Sequence, residues 1–187
     1  MCRTNRSLPA DQGDDFSAKL AALAAMPRRL AEIAASIAPA QWTTRAQDGN
    51  FSLQEHACHL RDIEIEGYRA RIERMLAEAT PYLPDLDGDR LARERNYPSQ
   101  DLRAAERAFA ETRATLVLQL AALMPEERRR AGILEGVGRI TLADLAATMR
   151  QHDREHLAEL AALRTEVPAD QTEPESKRAP SRRPLKL

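Results

Sequence analysis

Apolar residues recur at steps of three and four along four segments of this 187-residue chain. This spacing predicts four amphipathic helices, each with one apolar stripe and one polar face. The stripe of the first helix is Phe16, Leu20, Leu23, Pro27, Leu30, Ala34 and Ile37. Because Pro27 falls on that stripe, we expect a kink or a second helical start there.

The second helix should begin at Ser52, which is followed three residues later by Glu55 in the pattern of a capping box. We expect this helix to run to about Glu78. Its predicted inward stripe is Leu53, His56, His59 with Leu60, Ile63, Gly67 and Ala70. Its predicted outer face is charged and carries Arg61, Glu64, Arg71 and Glu73.

The third helix is predicted over about Gln100 to Leu123, and a weaker capping pattern at Thr141 and Asp144 begins the fourth. The fourth helix should end near Leu163, with Leu142, Leu145, Met149, His152, His156, Leu160 and Leu163 inward. The three glycines between residues 132 and 138 indicate an irregular connection before it.

The connection from Thr80 to Pro98 is much longer than the roughly 2–8 residues that antiparallel neighbours in a bundle need. It can cross the bundle and leave the second and third helices parallel. None of the four helices can bury its stripe alone, so the pattern predicts an all-α four-helix bundle over residues 14–164. Residues 1–13 and 165–187 are polar and are predicted to be disordered tails.

Composition narrows the class of protein further. The formal net charge of −1 argues against nucleic-acid binding, and no apolar run approaches the roughly 20 residues that span a bilayer. The N-terminal residues lack the apolar core of a secretory signal, and two cysteines do not make a disulfide framework. A cytoplasmic protein without a membrane partner is therefore expected.

All four histidines lie in two short segments, which makes a metal site the leading chemical hypothesis. His152 and His156 are four residues apart and share one helix face, while His59 occupies an inward position on the second helix. One metal ion would satisfy an acceptor on each of these rings at once, and neutral imidazole suits Zn, Ni, Fe or Cu. Three protein ligands leave open coordination positions, as in catalytic zinc sites. A packed polar cluster without metal is the alternative.

Several other interpretations of the charged and polar residues stay open or are weak. His56 could be a fourth ligand, a hydrogen-bond partner of a ligand or a rim residue, and we rank it below His59 because His59 is expected to lie deeper. Asp62 either orients an imidazole or is a solvated carboxylate. Arg113 either meets an anionic substrate or, more simply, pairs with carboxylates of the second helix. Cys58 is expected to be a small buried filler.

Two motif matches carry little weight. The segment from His152 to His156 matches the H-x-x-E-H string of one metallopeptidase group, with Glu155 as the would-be general base. Five-residue patterns are weak, and charged residues between two inward histidines are expected to face outward. The acidic stretch from Asp85 to Asp89 resembles the start of a calcium loop, but Arg90 and Asn96 stand where that loop requires glycine and glutamate, so it is interpreted as a polar turn.

The chain resembles the DinB-like superfamily over about residues 20–163. The resemblance rests on Phe51-Ser52, His59-Leu60, Asp62, Glu64, the Arg69 to Arg74 basic turn, Pro81, Asp87-Gly88, Tyr97, Phe109 with Arg113, Gly138, Thr141-Leu142, and His152-Asp153 with His156-Leu157. It implies a left-handed bundle in up-down-down-up order, and a divalent metal, usually zinc or nickel, on His59, His152 and His156. It also implies that the chain can form a homodimer.

The same resemblance implies an activity. Characterised relatives include metal-dependent transferases and isomerases that use low-molecular-weight thiols, so the chain is expected to be a thiol-dependent transferase or a hydrolase acting on a small molecule. In the hydrolase, water rather than thiol would be activated by the metal. The alternative is a non-catalytic metal-binding or stress-response bundle that acts through partners.

Overall fold

Four long helical segments form the body of the protein, as the apolar periodicity predicts. The structure is a computed structural model that describes residues 16–46 and 49–166. The long segments are α1 (Phe16–Ser36), α2 (Leu53–Asp62) with its continuation to residue 77, α5 (Leu102–Ala121) and α6 (Leu142–Glu166). Helix α1 packs on both α5 and α6, and α2 packs on α5. The predicted tails lie outside the described residues, except that Thr165 and Glu166 belong to α6 and not to a tail.

Both predicted capping boxes are present. The Ser52 hydroxyl accepts a hydrogen bond from the Glu55 amide at 3.3 Å, and the Glu55 carboxylate accepts from the Ser52 amide at 3.0 Å. Thr141 and Asp144 exchange the same pair of bonds at 3.1 and 2.9 Å. These reciprocal bonds satisfy amides that the first turn of a helix would leave unpaired. They fix the starts of the two helices that carry the histidines.

The second long segment contains a feature that periodicity did not reveal. After α2, residues Ile63–Arg69 form a π-helical segment before α3 (Ala70–Ala77). A π turn holds an extra residue and rotates the faces that follow it. Glu64, predicted to face outward, is only 1 % exposed, and Arg71 is also buried. The predicted charged outer face is therefore wrong at these two positions.

The crossover between α3 and α5 is ordered by short elements. It contains β1 (Tyr82–Leu83), α4 (Gly88–Glu94) and a 3₁₀ turn at Tyr97–Ser99. The Asp87 carboxylate accepts from the Arg90 amide at 2.9 Å, so the acidic stretch caps a helix. The Gln54 side chain donates to the carbonyls of Tyr97 and Pro98 at 3.1 and 2.7 Å, which ties the crossover to α2.

A small sheet corrects the all-α prediction. Strand β2 (Ala131–Leu134) pairs parallel with β1 and antiparallel with β3 (Gly138–Thr141). The predicted irregular connection is thus a hairpin, whose turn uses Gly136 at φ +72° and whose β3 begins with Gly138 at φ +102°. Glycine adopts this backbone region without the steric penalty other residues carry. The rest of the described chain is helical or connects helices.

The core confirms most of the predicted stripes, with one shift in α1. Met26 is buried where Pro27 was expected, and Pro27 is partly exposed within an uninterrupted helix. Two apolar clusters fill the bundle, one around Phe109 and Tyr97 and the other around Ile72 and Leu145. Within the described residues, we find no helix long and apolar enough to cross a membrane.

Candidate metal centre

Three histidine side chains from two helices converge on one point. The Nε2 atom of His152 lies 3.2 Å from Nε2 of His59 and 3.0 Å from Nε2 of His156. His59 comes from the last turn of α2, and the other two come from consecutive turns of α6. The structure therefore brings together the three residues that the sequence predicts as ligands, although their role as ligands remains a prediction.

The spacing of these nitrogens fits a metal ion better than a hydrogen-bond network. A tetrahedral zinc ion with Zn–N bonds of about 2.0–2.1 Å holds its ligand nitrogens roughly 3.3 Å apart. The Nε2 atom of His152 faces two partners but has only one lone pair or one hydrogen, so it can form one good hydrogen bond. An ion at the centre would use the lone pairs of all three rings at once. The residues present thus fit a divalent ion.

The surroundings of His59 keep its ring neutral and fixed. Burial, with a smaller contribution from the charge of His156, lowers the pKa of His59 to about 3. The Phe51 ring packs against it with centroids 5.5 Å apart. A side-chain carbon at Gly88 would lie only 2.5 Å from the His59 ring, so the crossover helix can approach it only at a glycine. A neutral ring offers the lone pair that a metal requires.

His56 corrects the predicted ranking of depth. It is 1 % exposed against 9 % for His59, so the residue ranked as shallower lies deeper. It does not face the Nε2 cluster but places Nδ1 at 3.1 Å from Nδ1 of His156, on the opposite side of that ring. Glu159 approaches the same Nδ1 of His156 at 3.2 Å. His56, His156 and Glu159 form a second group of close metal-type donors.

A buried ionic triad lies next to the histidines. Arg113 of α5 donates to Glu64 at 2.6 and 2.8 Å and to Asp153 at 2.5 and 3.1 Å. The prediction that Arg113 pairs with carboxylates of the second helix is confirmed for Glu64. Asp153 was expected to face solvent and is instead 4 % exposed. Burial raises the pKa of both carboxyls even though Arg113 opposes that rise.

Asp62 takes neither of its predicted roles. It is buried, and it accepts hydrogen bonds from Arg61 at 2.7 Å and from the Tyr97 hydroxyl at 2.8 Å rather than facing solvent or orienting an imidazole. Burial acts to raise the pKa of Asp62, but these donors and Arg95 hold it below its ordinary value. The carboxylate therefore joins α2 to the crossover. Cys58 is fully buried as expected, and burial raises the pKa of its thiol to about 11.

The buried neutral histidines predict a pH-dependent stability of the metal-free protein. Burial holds the pKa of His59 near 3 and that of His56 well below its ordinary value, whereas both titrate near 6.5 when unfolded. Below pH 6.5 the unfolded state binds more protons, so the free energy of unfolding should fall as pH drops toward 3. Between pH 7 and 5, we expect the free energy of unfolding of His59→Gln to fall by about 2 kcal/mol less than that of wild type.

Urea unfolding at both pH values in the presence of a chelator measures this difference. Glu64 and Asp153 affect stability in the opposite direction as the pH falls, because burial raises their pKa. Both carboxyls are present in wild type and in His59→Gln, so their effect cancels in the comparison. Equal losses in wild type and His59→Gln would mean that His59 already binds a proton in the folded protein.

Comparison with known proteins places the chain in a family. No curated protein matches it in sequence at a significant level. The fold is similar to that of YfiT from Bacillus subtilis, described as a probable metal-dependent hydrolase with an unusual four-helix bundle topology. That structure has a TM-score of 0.78 and 18 % identity, over 86 % of this chain and 93 % of its own. The family model of the DinB superfamily matches residues 22–160. The chain therefore belongs to the DinB superfamily.

Proposed function

We propose that the protein is a metal-dependent enzyme that acts on a small molecule. The observation that carries this proposal is the convergence of three Nε2 atoms, with His152 within 3.2 Å of both His59 and His156. Three imidazole ligands would leave coordination positions open, which distinguishes catalytic from structural zinc sites. Zinc or nickel is the proposed ion, since neutral imidazole suits both.

A divalent ion held there would supply Lewis acidity, which polarises a substrate oxygen and lowers the pKa of a water or thiol. The protein supplies the geometry. Phe51 packs beside His59 and His56, and the backbone at Gly88 lies against the His59 ring. Arg113 neutralises one of the two buried carboxylates beside it, so the triad retains net negative charge when both are ionised. This charge favours a cation nearby.

The reaction class is a thiol-dependent transfer or a hydrolysis. YfiT, with which the fold is shared, is described as a probable metal-dependent hydrolase, and this supports hydrolysis. A thiol nucleophile would come from a low-molecular-weight cosubstrate, because Cys58, the one cysteine among the described residues, is buried and its pKa is about 11. The resemblance to the DinB-like superfamily, whose characterised relatives include thiol-dependent transferases, supports the thiol-dependent transfer.

The remaining features are proposed with this function. The helices run up-down-down-up in a left-handed bundle, the crossover from residue 78 to 101 joining two parallel helices. The protein works in the cytoplasm, where thiols stay reduced, and it forms a homodimer.

Turnover assays with the zinc- or nickel-loaded protein test the proposal. We expect a panel of small esters and amides to be hydrolysed, or small electrophiles to react with an added thiol, at rates that His152→Ala abolishes. Stoichiometric metal binding without turnover in either panel would favour the non-catalytic metal-binding bundle. Turnover that survives both chelation and His152→Ala would contradict the proposed site.

A further inference from the structure

Glu159 contacts the ring nitrogen of His156 that faces away from the Nε2 cluster. Its Oε2 atom lies 3.2 Å from His156 Nδ1, and the two residues are three apart on α6. The side chain is 39 % exposed, so the carboxylate reaches the ring from the solvent side. The two nitrogens of His156 thus face different groups, Nε2 toward His152 and Nδ1 toward Glu159.

This arrangement selects one tautomer of His156. A neutral imidazole carries one hydrogen and one lone pair, and its two nitrogens exchange these roles between tautomers. A carboxylate is a strong acceptor, so Nδ1 should carry the hydrogen and donate it to Glu159. The lone pair is then on Nε2, where it faces the other two rings. Carboxylates that fix metal-ligating histidines in this way are a common device in metal sites.

His56 fits the same tautomer. Its Nδ1 lies 3.1 Å from Nδ1 of His156, so one of the two atoms must donate and the other accept. The one hydrogen on His156 Nδ1 is donated mainly to the carboxylate of Glu159, the stronger acceptor, and His56 Nδ1 faces the same hydrogen as a second, weaker acceptor. The hydrogen of His56 itself is then on Nε2. That Nε2 lies 3.9 Å from Glu159 Oε2, beyond direct hydrogen-bond distance but favourably placed toward its charge.

We propose that Glu159 and His56 are positioning residues that hold His156 with Nε2 toward the metal. This inference rests on the proposed metal site and adds to it the reason why His56 is buried without being a ligand. It also explains the second group of donors. A neutral His156 has only one lone pair, so the His56, His156 and Glu159 group cannot bind an ion while the three Nε2 atoms hold another.

Zinc affinity at neutral pH, measured by competition with a chelator on the full chain, tests the role of Glu159. We expect Glu159→Leu to weaken binding about 10- to 100-fold, the range known for partners of metal-ligating histidines. Glu159→Gln should lose less zinc affinity than Glu159→Leu, because its amide oxygen still accepts a hydrogen bond. Glu155→Gln is the matched control. Glu155 lies on the same helix but is exposed and accepts from Gln151 at 3.0 Å, so affinity should stay within about twofold.

The ring ¹⁵N spectrum of the zinc-loaded protein gives a readout that general destabilisation would not reproduce. The chain has four histidines, so few signals need assignment. We expect His156 with hydrogen on Nδ1 and zinc on Nε2, and metal-free His56 with hydrogen on Nε2. A His156 that binds zinc through Nδ1, two zinc ions per chain, or unchanged affinity in Glu159→Leu would overturn the inference.

These experiments distinguish an error in the metal site from an error in the positioning role of Glu159 and His56. If wild type binds no zinc, the metal site itself is wrong and the positioning role falls with it. If wild type binds one zinc that His59→Ala removes, while Glu159→Leu binds as tightly as wild type, only the positioning role is wrong. Melting of the metal-free variants checks that each has folded.

Discussion

Replacement of Arg113 by methionine is expected to lower the free energy of unfolding by about 3–5 kcal/mol. Arg113 is 1 % exposed and is hydrogen-bonded to two buried carboxylates, Glu64 and Asp153. Methionine fills a similar volume but leaves both carboxylates without their cation. An unpaired buried charge is strongly destabilising even where the intact pair contributes little net stability. Urea unfolding of the metal-free protein measures the effect.

The control is Arg107→Met on the same helix, where the side chain is exposed and the change should stay within about 0.5 kcal/mol. Lowering the pH provides a second check. Burial raises the pKa of both carboxyls, so acid should protonate them. The difference in free energy of unfolding between Arg113→Met and wild type should therefore become smaller as the pH falls. A loss below 1 kcal/mol, or a gap that does not depend on pH, would mean that solvent reaches the triad.

Replacement of His152 by alanine is expected to weaken zinc binding by at least about 100-fold, more than the loss of an outer partner causes. The Nε2 atom of His152 is the one within hydrogen-bond distance of both other ligand nitrogens. Removing it leaves two ligands where three converge. The metal-free stability should change little because His152 is only partly buried.

Isothermal titration of the metal-free protein with zinc measures this affinity, and thermal melting provides an independent test. Bound metal stabilises only the folded state, so zinc should raise the melting temperature of wild type and leave that of His152→Ala nearly unchanged. Equal affinities in the two proteins would remove His152 from the site.

The helices could be predicted from sequence because their signals are local. Steps of three and four, and the capping boxes at Ser52 and Thr141, depend on neighbours within one or two turns. The metal-type cluster was predictable for a related reason. Histidine is rare on apolar stripes, so three inward rings stand out against leucine and alanine.

The buried triad could not be predicted in this way. Periodicity assigns charged residues to the outer face, and it placed both Glu64 and Asp153 there. Their burial depends on Arg113, which is 49 residues from Glu64 and 40 from Asp153 in sequence. A pattern read one helix at a time cannot detect such a partner. The π segment at Ile63–Arg69 added a rotation that a fixed period of 3.6 residues excludes.

The apolar periodicity also could not predict the structure of the crossover or the depth of the histidines. Strand β1 has two residues and is defined by its pairing with β2, so it carries no alternation of its own. A helical projection gives the face of a residue but not its depth, which is why His56 was ranked below His59. The depth depends on Phe51, on Glu159 and on the approach of Gly88, all of which are set by tertiary packing.

X-ray absorption of the zinc-loaded protein tests the central claim most directly. Three histidines converging through Nε2 should give one zinc per chain with three imidazole nitrogens at about 2.0–2.1 Å, and oxygen donors such as water in the remaining coordination positions. A sulfur ligand, four imidazoles with His56 among them, or fewer than one zinc per chain would contradict it.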